Sequence, residues 1–285
     1  MTAIAICAHH ERPGIVELID DIVEWAGANG HDAWLVPDDA SVLRRAALAR
    51  ERPLTAADLV VALGGDGTML RAVHLLDGAP TPLLGANLGH LGYLTEVDPS
   101  KLTVALKRFL AGSYHVSERM RLEVNIDPVS DVAPSSGSWP ALNEAVLGKT
   151  PTGQIVHIVV SIDGEPFTTY HADGLIAATP TGSTAYAWSA GGPIISPDHA
   201  ALLLAPVAPH MLFDRALVLP PTSLIRLEVN GDRPAALSVD GRNLGTLAEG
   251  DAIVCTAAEH AARFVPFEAT GFLEIVKAKF GLGAR

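Results

Sequence analysis

Leu59-Val60-Val61-Ala62-Leu63-Gly64-Gly65-Asp66-Gly67-Thr68 is a run of aliphatic residues that stops in a glycine-rich loop carrying a single carboxylate. An unbroken apolar stretch of this length reads as a parallel strand buried on both faces, and the loop falls where that strand ends. Open α/β sheets bind their ligands at that edge. Beyond the loop, Met69, Leu70, Val73 and Leu76 recur at helical spacing, so Asp66 or Thr68 opens a helix whose first N–H groups lack acceptors inside it. Amides freed of side chains by Gly64, Gly65 and Gly67 make an anion site.

A loop that only holds phosphate gains nothing from a carboxylate. Asp66 therefore holds a metal, takes a proton from a nucleophile, or caps the helix. Asn caps about as well as Asp but cannot act as a base, and that difference separates the readings.

The flanking chain alternates strand and helix. Ala3 to Cys7 is apolar, Pro13-Gly14 breaks the chain, and Ile15, Leu18, Ile19, Ile22 and Val23 follow at helical spacing before an extended Ala33 to Val36. With strands at 59–63 and 82–86, this predicts a parallel sheet with helical crossovers. His9, His10 and Glu11 read as a solvated loop, with no further ligands at metal-binding spacing. The strand at 82–86 runs into a second glycine-bearing turn, Asn87-Leu88-Gly89-His90-Leu91-Gly92-Tyr93-Leu94, expected to form another wall of the same cleft. Tyr93 is placed either to stack on a base or to sit half-buried in the core, and His90 has no role beyond hydrogen bonding.

From Arg121 the texture changes to short alternating segments at 121–126, 155–162, 166–171, 175–178, 224–229 and 235–239. Asp163-Gly164, Asn230-Gly231 and Asp240-Gly241 read as hairpin turns. The expected fold is thus an N-terminal parallel-sheet α/β domain (1–115, plus the tail 268–285) and a mostly antiparallel, β-rich C-terminal domain (116–267). Phe272 to Phe280 has helical spacing, and 128–140 is an irregular loop.

Within the second domain, Asp173-Gly174-Leu175-Ile176-Ala177-Ala178-Thr179-Pro180-Thr181-Gly182-Ser183-Thr184-Ala185-Tyr186 is another strand ending in a loop, followed by Gly191-Gly192-Pro193. Its hydroxyls exceed what one helix cap uses, so a ligand-binding role is expected beside the capping role. Arg71 is the only Lys or Arg between Asp58 and Ser100, and none occurs from His171 to Ala200. A polyphosphate bound here is therefore expected to be neutralised mostly by amides, hydroxyls and a divalent cation, which implies Mg²⁺. No protein side chain is assigned as a metal ligand.

Composition narrows the class. Thirty-two acidic residues against 20 basic ones, with no Lys/Arg cluster, argue against a nucleic-acid partner. Cys7 and Cys255 read as reduced core residues, with a disulfide left open. Met1 to Cys7 lacks the basic start of a signal peptide, and no apolar run has membrane-spanning length, so a cytoplasmic protein without a membrane partner is expected.

Gly64-Gly65-Asp66-Gly67-Thr68 resembles the phosphate-donor motif shared by NAD kinases, diacylglycerol and sphingosine kinases and, more distantly, phosphofructokinases. The stretch 173–193 is similar to the long signature of bacterial-type ATP- or polyphosphate-dependent NAD kinases, as are Asn143-Glu144 and Pro209-His210-Met211-Leu212-Phe213-Asp214-Arg215. Tyr93 and Ala216 depart from the Phe and Pro usual in that family. The resemblance implies an enzyme, a phosphotransferase passing the terminal phosphoryl group of ATP to the adenosine-ribose 2′-hydroxyl of NAD. It implies Asp66 as the catalytic base and Gly64, Gly65, Gly67 and Thr68 around the donor phosphates with Mg²⁺. It further implies NAD contacts from Asp66, Gly67, Arg71, Tyr93, Asn143, Glu144, Asp173, Thr184, Ala185, Tyr186 and Ser189, and a homodimer or homotetramer. Two other classes carry the same loop or pocket. A lipid or sphingoid kinase needs an apolar acceptor tunnel, and a non-catalytic dinucleotide-binding protein has no use for Asp66.

Overall fold

The computed structural model describes residues 1–89, 92–150, 154–267 and 271–282, so His90 lies outside the described residues. Two compact units divide the chain, Met1–Glu118 with the segment from Ala262 onward, and Arg119–Ala261.

In the first unit, β1 (Ala3–Ala8), β2 (Asp32–Leu35), β3 (Leu59–Gly64), β4 (Leu83–Asn87) and β5 (Ser117–Arg119) build a six-stranded sheet with a late strand, Ala262–Phe264. The spatial order is β2-β1-β3-β4, then Ala262–Phe264, then β5, with parallel pairing between β1 and both β2 and β3, and between β3 and β4. All six residues of β3 are buried, which its uninterrupted aliphatic run requires. Helices α1 (Ile15–Ala28), α2 (Pro37–Val42), α3 (Asp66–Leu76) and α4 (Leu102–Leu110) lie along the chain between the strands. Ile15, Ile19 and Ile22 of α1 share a core with Ile4 and Ile6 of β1 and Val61 and Leu63 of β3.

The chain rejoins this unit six residues before the expected tail, because Phe264 pairs in parallel with Leu83 at the sheet's growing edge. The terminal helix Phe272–Phe280 spans the residues read as helical.

The second unit holds two antiparallel six-stranded sheets. In chain order its strands are β6 (Leu122–Asp127), β7 (Ser138–Ala141), β8 (Glu144–Lys149), β9 (Val156–Ile162), β10 (Glu165–Ala172), β11 (Gly174–Ala178) and β12 (Leu202–Val207). The remaining ones are β13 (Leu217–Leu219), β14 (Ile225–Val229), β15 (Ala235–Val239), β16 (Arg242–Leu247) and β17 (Ala252–Ala257). One sheet runs β10-β9-β14-β17-β6-β7 and the other β13-β12-β11-β8-β15-β16. Side chains from both, including Val124, Ile158, Leu175, Ala177, Leu227 and Leu237, fill one shared core. β11 is buried on both faces because Ala187 and Ile195 cover Ile176 and Ala178 from the side away from that core.

Asp163-Gly164 and Asp240-Gly241 are tight hairpin turns with both residues at positive φ, as two-residue loops require. Asn230-Gly231 is not one. It leads from β14 in the first sheet to β15 in the second, so the turn changes sheets instead of closing a hairpin. Cys7 and Cys255 are both free and buried, one in each unit.

Candidate functional site

In the first unit, α3 begins at Asp66 with Gly65 at the capping position, and no side chain caps it. The first N–H groups of α3 thus precede any acceptor within the helix. Gly65 and Gly67 leave open space where a side chain would stand, and a Cβ on Gly64 would run into the Thr68 hydroxyl. These glycines expose a strip of backbone rather than merely permit a turn.

Asp66 does not cap α3. Its carboxylate reaches across to the turn after β4, where Oδ2 accepts the Tyr93 backbone N–H (2.9 Å) and Oδ1 accepts the Leu94 N–H (3.0 Å) and the Thr95 hydroxyl (3.5 Å). A Cβ on Gly92 would collide with Asp66 Oδ1 and Thr95 Oγ1, so only glycine there lets the acid reach those donors. A carboxylate offers about four lone-pair directions, so Asp66 retains accepting capacity after these bonds.

Arg71, one turn further along α3, is tied to the sheet. Its Nη1 and Nη2 each lie 2.6 Å from an oxygen of Asp39, and Nη2 also donates to the Ala8 carbonyl (2.8 Å) and the Cys7 sulfur (3.1 Å). Burial opposes the arginine's charge, and the bonds to Asp39 more than restore it, so its pKa lies above the ordinary value. Asp39 is fully buried, accepts the Ala8 N–H at 2.7 Å and meets His10 Nε2 at 2.7 Å. Burial pushes the Cys7 thiol up to about 12, keeping it protonated at neutral pH.

A cleft of about 520 Å³ opens beside this loop, lined by Ala8, His9, His10, Glu11, Arg12, Gly65, Asp66, Gly67, Thr68 and Arg71. The loop after β1, read from sequence as merely solvated, forms its other side. His9 donates its backbone N–H to Leu63 O at 2.8 Å, because β1 and β3 are neighbours and their carboxyl ends coincide. Arg12 therefore joins Arg71 in bringing permanent positive charge to a cleft expected to rely mostly on amides, hydroxyls and a divalent cation. Tyr93 is half-buried, its hydroxyl pKa raised by burial and by Asp66, and Lys279 of the terminal helix stands 4.6 Å from its ring centre.

The second unit gathers another group. Asp240 accepts three successive backbone N–H groups, from Leu142 (2.7 Å), Asn143 (2.8 Å) and Glu144 (3.0 Å), and returns its own N–H to the Glu144 carbonyl at 2.9 Å. The Glu144 side chain accepts the Tyr186 N–H, while Oε2 is buried without a hydrogen-bond partner among the described residues. Burial, with a further contribution from Asp240, pushes the Glu144 carboxyl up to about 8. Gly182 packs so closely on Asn143 that a Cβ would overlap its carbonyl, which fixes the 179–186 segment against this pair.

Of the hydroxyls counted as ligand-binding, three donate to backbone carbonyls. Thr179 donates to Leu142 O (2.5 Å), Ser183 to Pro180 O (2.6 Å) and Thr184 to Thr181 O (3.1 Å). They build the loop. Ala185 is half-buried, and Tyr186 and Ser189 are exposed on the short helix Tyr186–Ser189. Asp173 pairs with Lys149 at 2.7 Å, ahead of β11, whereas the 179–186 loop follows that strand. About 17 Å of strand therefore separates Asp173 from the Asn143–Glu144 pair.

The sequence matches the model of the ATP-NAD kinase N-terminal domain over residues 45–114 and that of the ATP-NAD kinase C-terminal domain over 142–267. It is 36% identical over 291 residues to an NAD kinase of Citrifermentans bemidjiense, covering both chains completely. An NAD kinase of Moorella thermoacetica is 38% identical over 288 residues, covering 99% of this chain and 90% of that one. The fold is similar to that of yeast NADH kinase solved with NADH (TM-score 0.89, 28% identity, 100% of this chain and 89% of that one). The chain belongs to the ATP-NAD kinase family.

Proposed function

We propose that the protein transfers the terminal phosphoryl group of ATP to the 2′-hydroxyl of the adenosine ribose of NAD, giving NADP. The observation that carries this reading is the posture of Asp66. It is an acid at the head of a helix it does not cap, held by the Tyr93 and Leu94 amides beside the exposed backbone of Gly65 and Gly67. In the proposed step the ribose oxygen bonds to the terminal phosphorus, the bond from that phosphorus to the bridging oxygen breaks, and ADP leaves. The ribose proton passes to a free lone pair of Asp66. Such proton acceptance is worth about a hundred- to ten-thousand-fold, and positioning supplies much of the rest.

Gly64, Gly65, Gly67 and Thr68 hold the donor phosphates. Asn143 and Glu144 take the adenosine diol, for which the unpartnered Glu144 Oε2 has accepting capacity and, when protonated, a proton to donate. Tyr93 lines the adenine, Arg71 and Gly67 add to the NAD contacts, and Thr184, Ala185, Tyr186 and Ser189 shape the pocket, with Asp173 toward the nicotinamide end.

Among the described residues, no group of three or more His, Cys, Asp or Glu side chains is disposed to cage a metal. Glu11 and Asp66 are the carboxylates lining the cleft, and they would help hold a Mg²⁺ ion brought in with the donor phosphates. The ion would supply neutralisation of charge on the transferred phosphoryl group. The likeness to yeast NADH kinase supports a second reading of the acceptor, NADH in place of NAD. The family resemblance also leads us to propose a homodimer or homotetramer, measurable by light scattering, and a cytoplasmic location. Among the described residues no helix is long and apolar enough to cross a membrane.

Incubating the purified protein with Mg²⁺ and a panel of donors (ATP, polyphosphate) and acceptors (NAD, NADH, a diacylglycerol, sphingosine) tests the reading. Phosphorylated dinucleotide supports it. Phosphorylated lipid, or dinucleotide binding without product, contradicts it.

A further inference from the structure

The cleft beside the donor loop holds two arginines with different commitments. Arg71 spends its fork on the fully buried Asp39, on a backbone carbonyl and on Cys7, so its charge is compensated from beneath. Arg12 is exposed and, among the described residues, forms no ion pair or side-chain hydrogen bond. Its guanidinium touches one backbone segment. The guanidinium lies against the backbone of Gly89, where a Cβ would come within 3.2 Å of both Nη1 and Nη2 and 3.3 Å of the central carbon.

Its backbone is set. Ile15 donates its N–H to the Arg12 carbonyl at 3.3 Å, and Gly14, at φ 75°, turns the chain directly into α1. Arg12 thus reaches the cleft from an anchored turn, with its planar fork available.

Charge makes this consequential. The chain carries a formal net charge of −12, and the cleft is itself lined by Glu11 and Asp66. With Arg71 balanced by Asp39, Arg12 is the uncompensated permanent cation among the described lining residues. A guanidinium matches two phosphate oxygens at once, which a flexible ammonium does not.

We propose that Arg12 clamps the polyphosphate chain of the donor, acting with the Gly65 to Thr68 backbone. This rests on the phosphotransfer reading above and adds a donor-binding residue from a loop distant in sequence from the glycine motif. Binding of this kind is electrostatic and directed at phosphate, so it serves ATP and an inorganic polyphosphate alike.

The test compares Arg12→Gln and Arg12→Lys with the unaltered enzyme in steady state, varying ATP and NAD separately. Arg12→Gln is expected to raise KM for ATP about ten-fold or more and to leave KM for NAD within about two-fold, with Arg12→Lys in between. Raised salt should weaken ATP binding by the unaltered enzyme more steeply than by Arg12→Gln. An unchanged KM for ATP in Arg12→Gln, or an equal rise for NAD, overturns the assignment. Calorimetric titration of ATP into the same proteins reads the clamp without catalysis. If the unaltered protein binds ATP but makes no phosphorylated dinucleotide, the phosphotransfer reading has failed, and the affinity ratio still decides on Arg12. Failure of the unaltered protein to bind ATP overturns both.

Discussion

Asp240 accepts the backbone N–H of Glu144 at 3.0 Å, and its negative charge adds to the burial that lifts the Glu144 carboxyl to about 8. One residue thus places the Asn143–Glu144 pair and helps keep Glu144 protonated at neutral pH. In the unfolded chain Glu144 titrates near its ordinary 4.5, so between there and about 8 the folded state binds more protons than the unfolded one. Stability should therefore be fullest below that window and fall as pH rises through it. Thermal melts from mildly acidic to mildly alkaline pH check the slope, and Glu144→Gln, which has no proton to lose, should flatten it and be the more stable protein at the alkaline end. Asp240→Asn should leave the fall where it is only if Asp240 plays no electrostatic part. With its charge removed, Glu144 ionises more easily, and the fall is expected to shift to lower pH.

Asp39 is the counter-ion of Arg71, with both guanidinium nitrogens at 2.6 Å. Removing one partner of a buried pair leaves the other charge without compensation, at a cost of about 3–5 kcal/mol. Asp39→Ala should therefore lose about that much in urea unfolding, somewhat less because Arg71 is partly exposed. It also removes the acceptor for the Ala8 N–H and the partner of His10, so activity should fall with stability.

Much of the first unit was legible in local sequence, and much of the second was not. The aliphatic run of β3, the glycine loop and the terminal helix Phe272–Phe280 each carry their own signal in consecutive residues. β12 carries no alternation, because it is buried on both faces, and β8 is short and ends in Gly148 and Lys149, so neither segment reads as a strand. Asn230-Gly231 has hairpin chemistry but joins two sheets, a fact that depends on pairing partners far away in the chain. The same limit hid Arg12 and His10. Only the adjacency of β1 and β3 brings the loop after one to the loop after the other. Nothing in the sequence around Asp39 marks it as the partner of Arg71, and Asp240-Gly241 reads as a hairpin turn without showing that Asp240 holds three backbone N–H groups. In the hydroxyl-rich 179–184 loop, Thr179, Ser183 and Thr184 donate to backbone carbonyls, a structural role beside the ligand-binding one that sequence alone does not apportion.

Gly92→Ala alters no ionisable group, yet its added methyl would occupy the space of Asp66 Oδ1. The variant should displace the carboxylate from the Tyr93 and Leu94 amides and lower kcat about a hundred-fold, since misplacement of a reacting group by about an ångström carries that cost. KM for ATP should change far less. Steady-state kinetics on the variant, alongside a melt to confirm folding, measures both.

Asp66→Asn tests the account most directly, read as the rate of NADP formation from NAD, ATP and Mg²⁺. The amide keeps the side chain's size but accepts at one oxygen only, so some loosening of the Tyr93–Leu94 tether is expected, about 1–3 kcal/mol in stability. ATP affinity should persist, because the glycine backbone and Arg12 are untouched. Turnover should fall about a hundred- to ten-thousand-fold at saturating substrates. An Asp66→Asn protein that binds ATP and still forms NADP within a few-fold of the unaltered rate would contradict the assignment of Asp66 as the base.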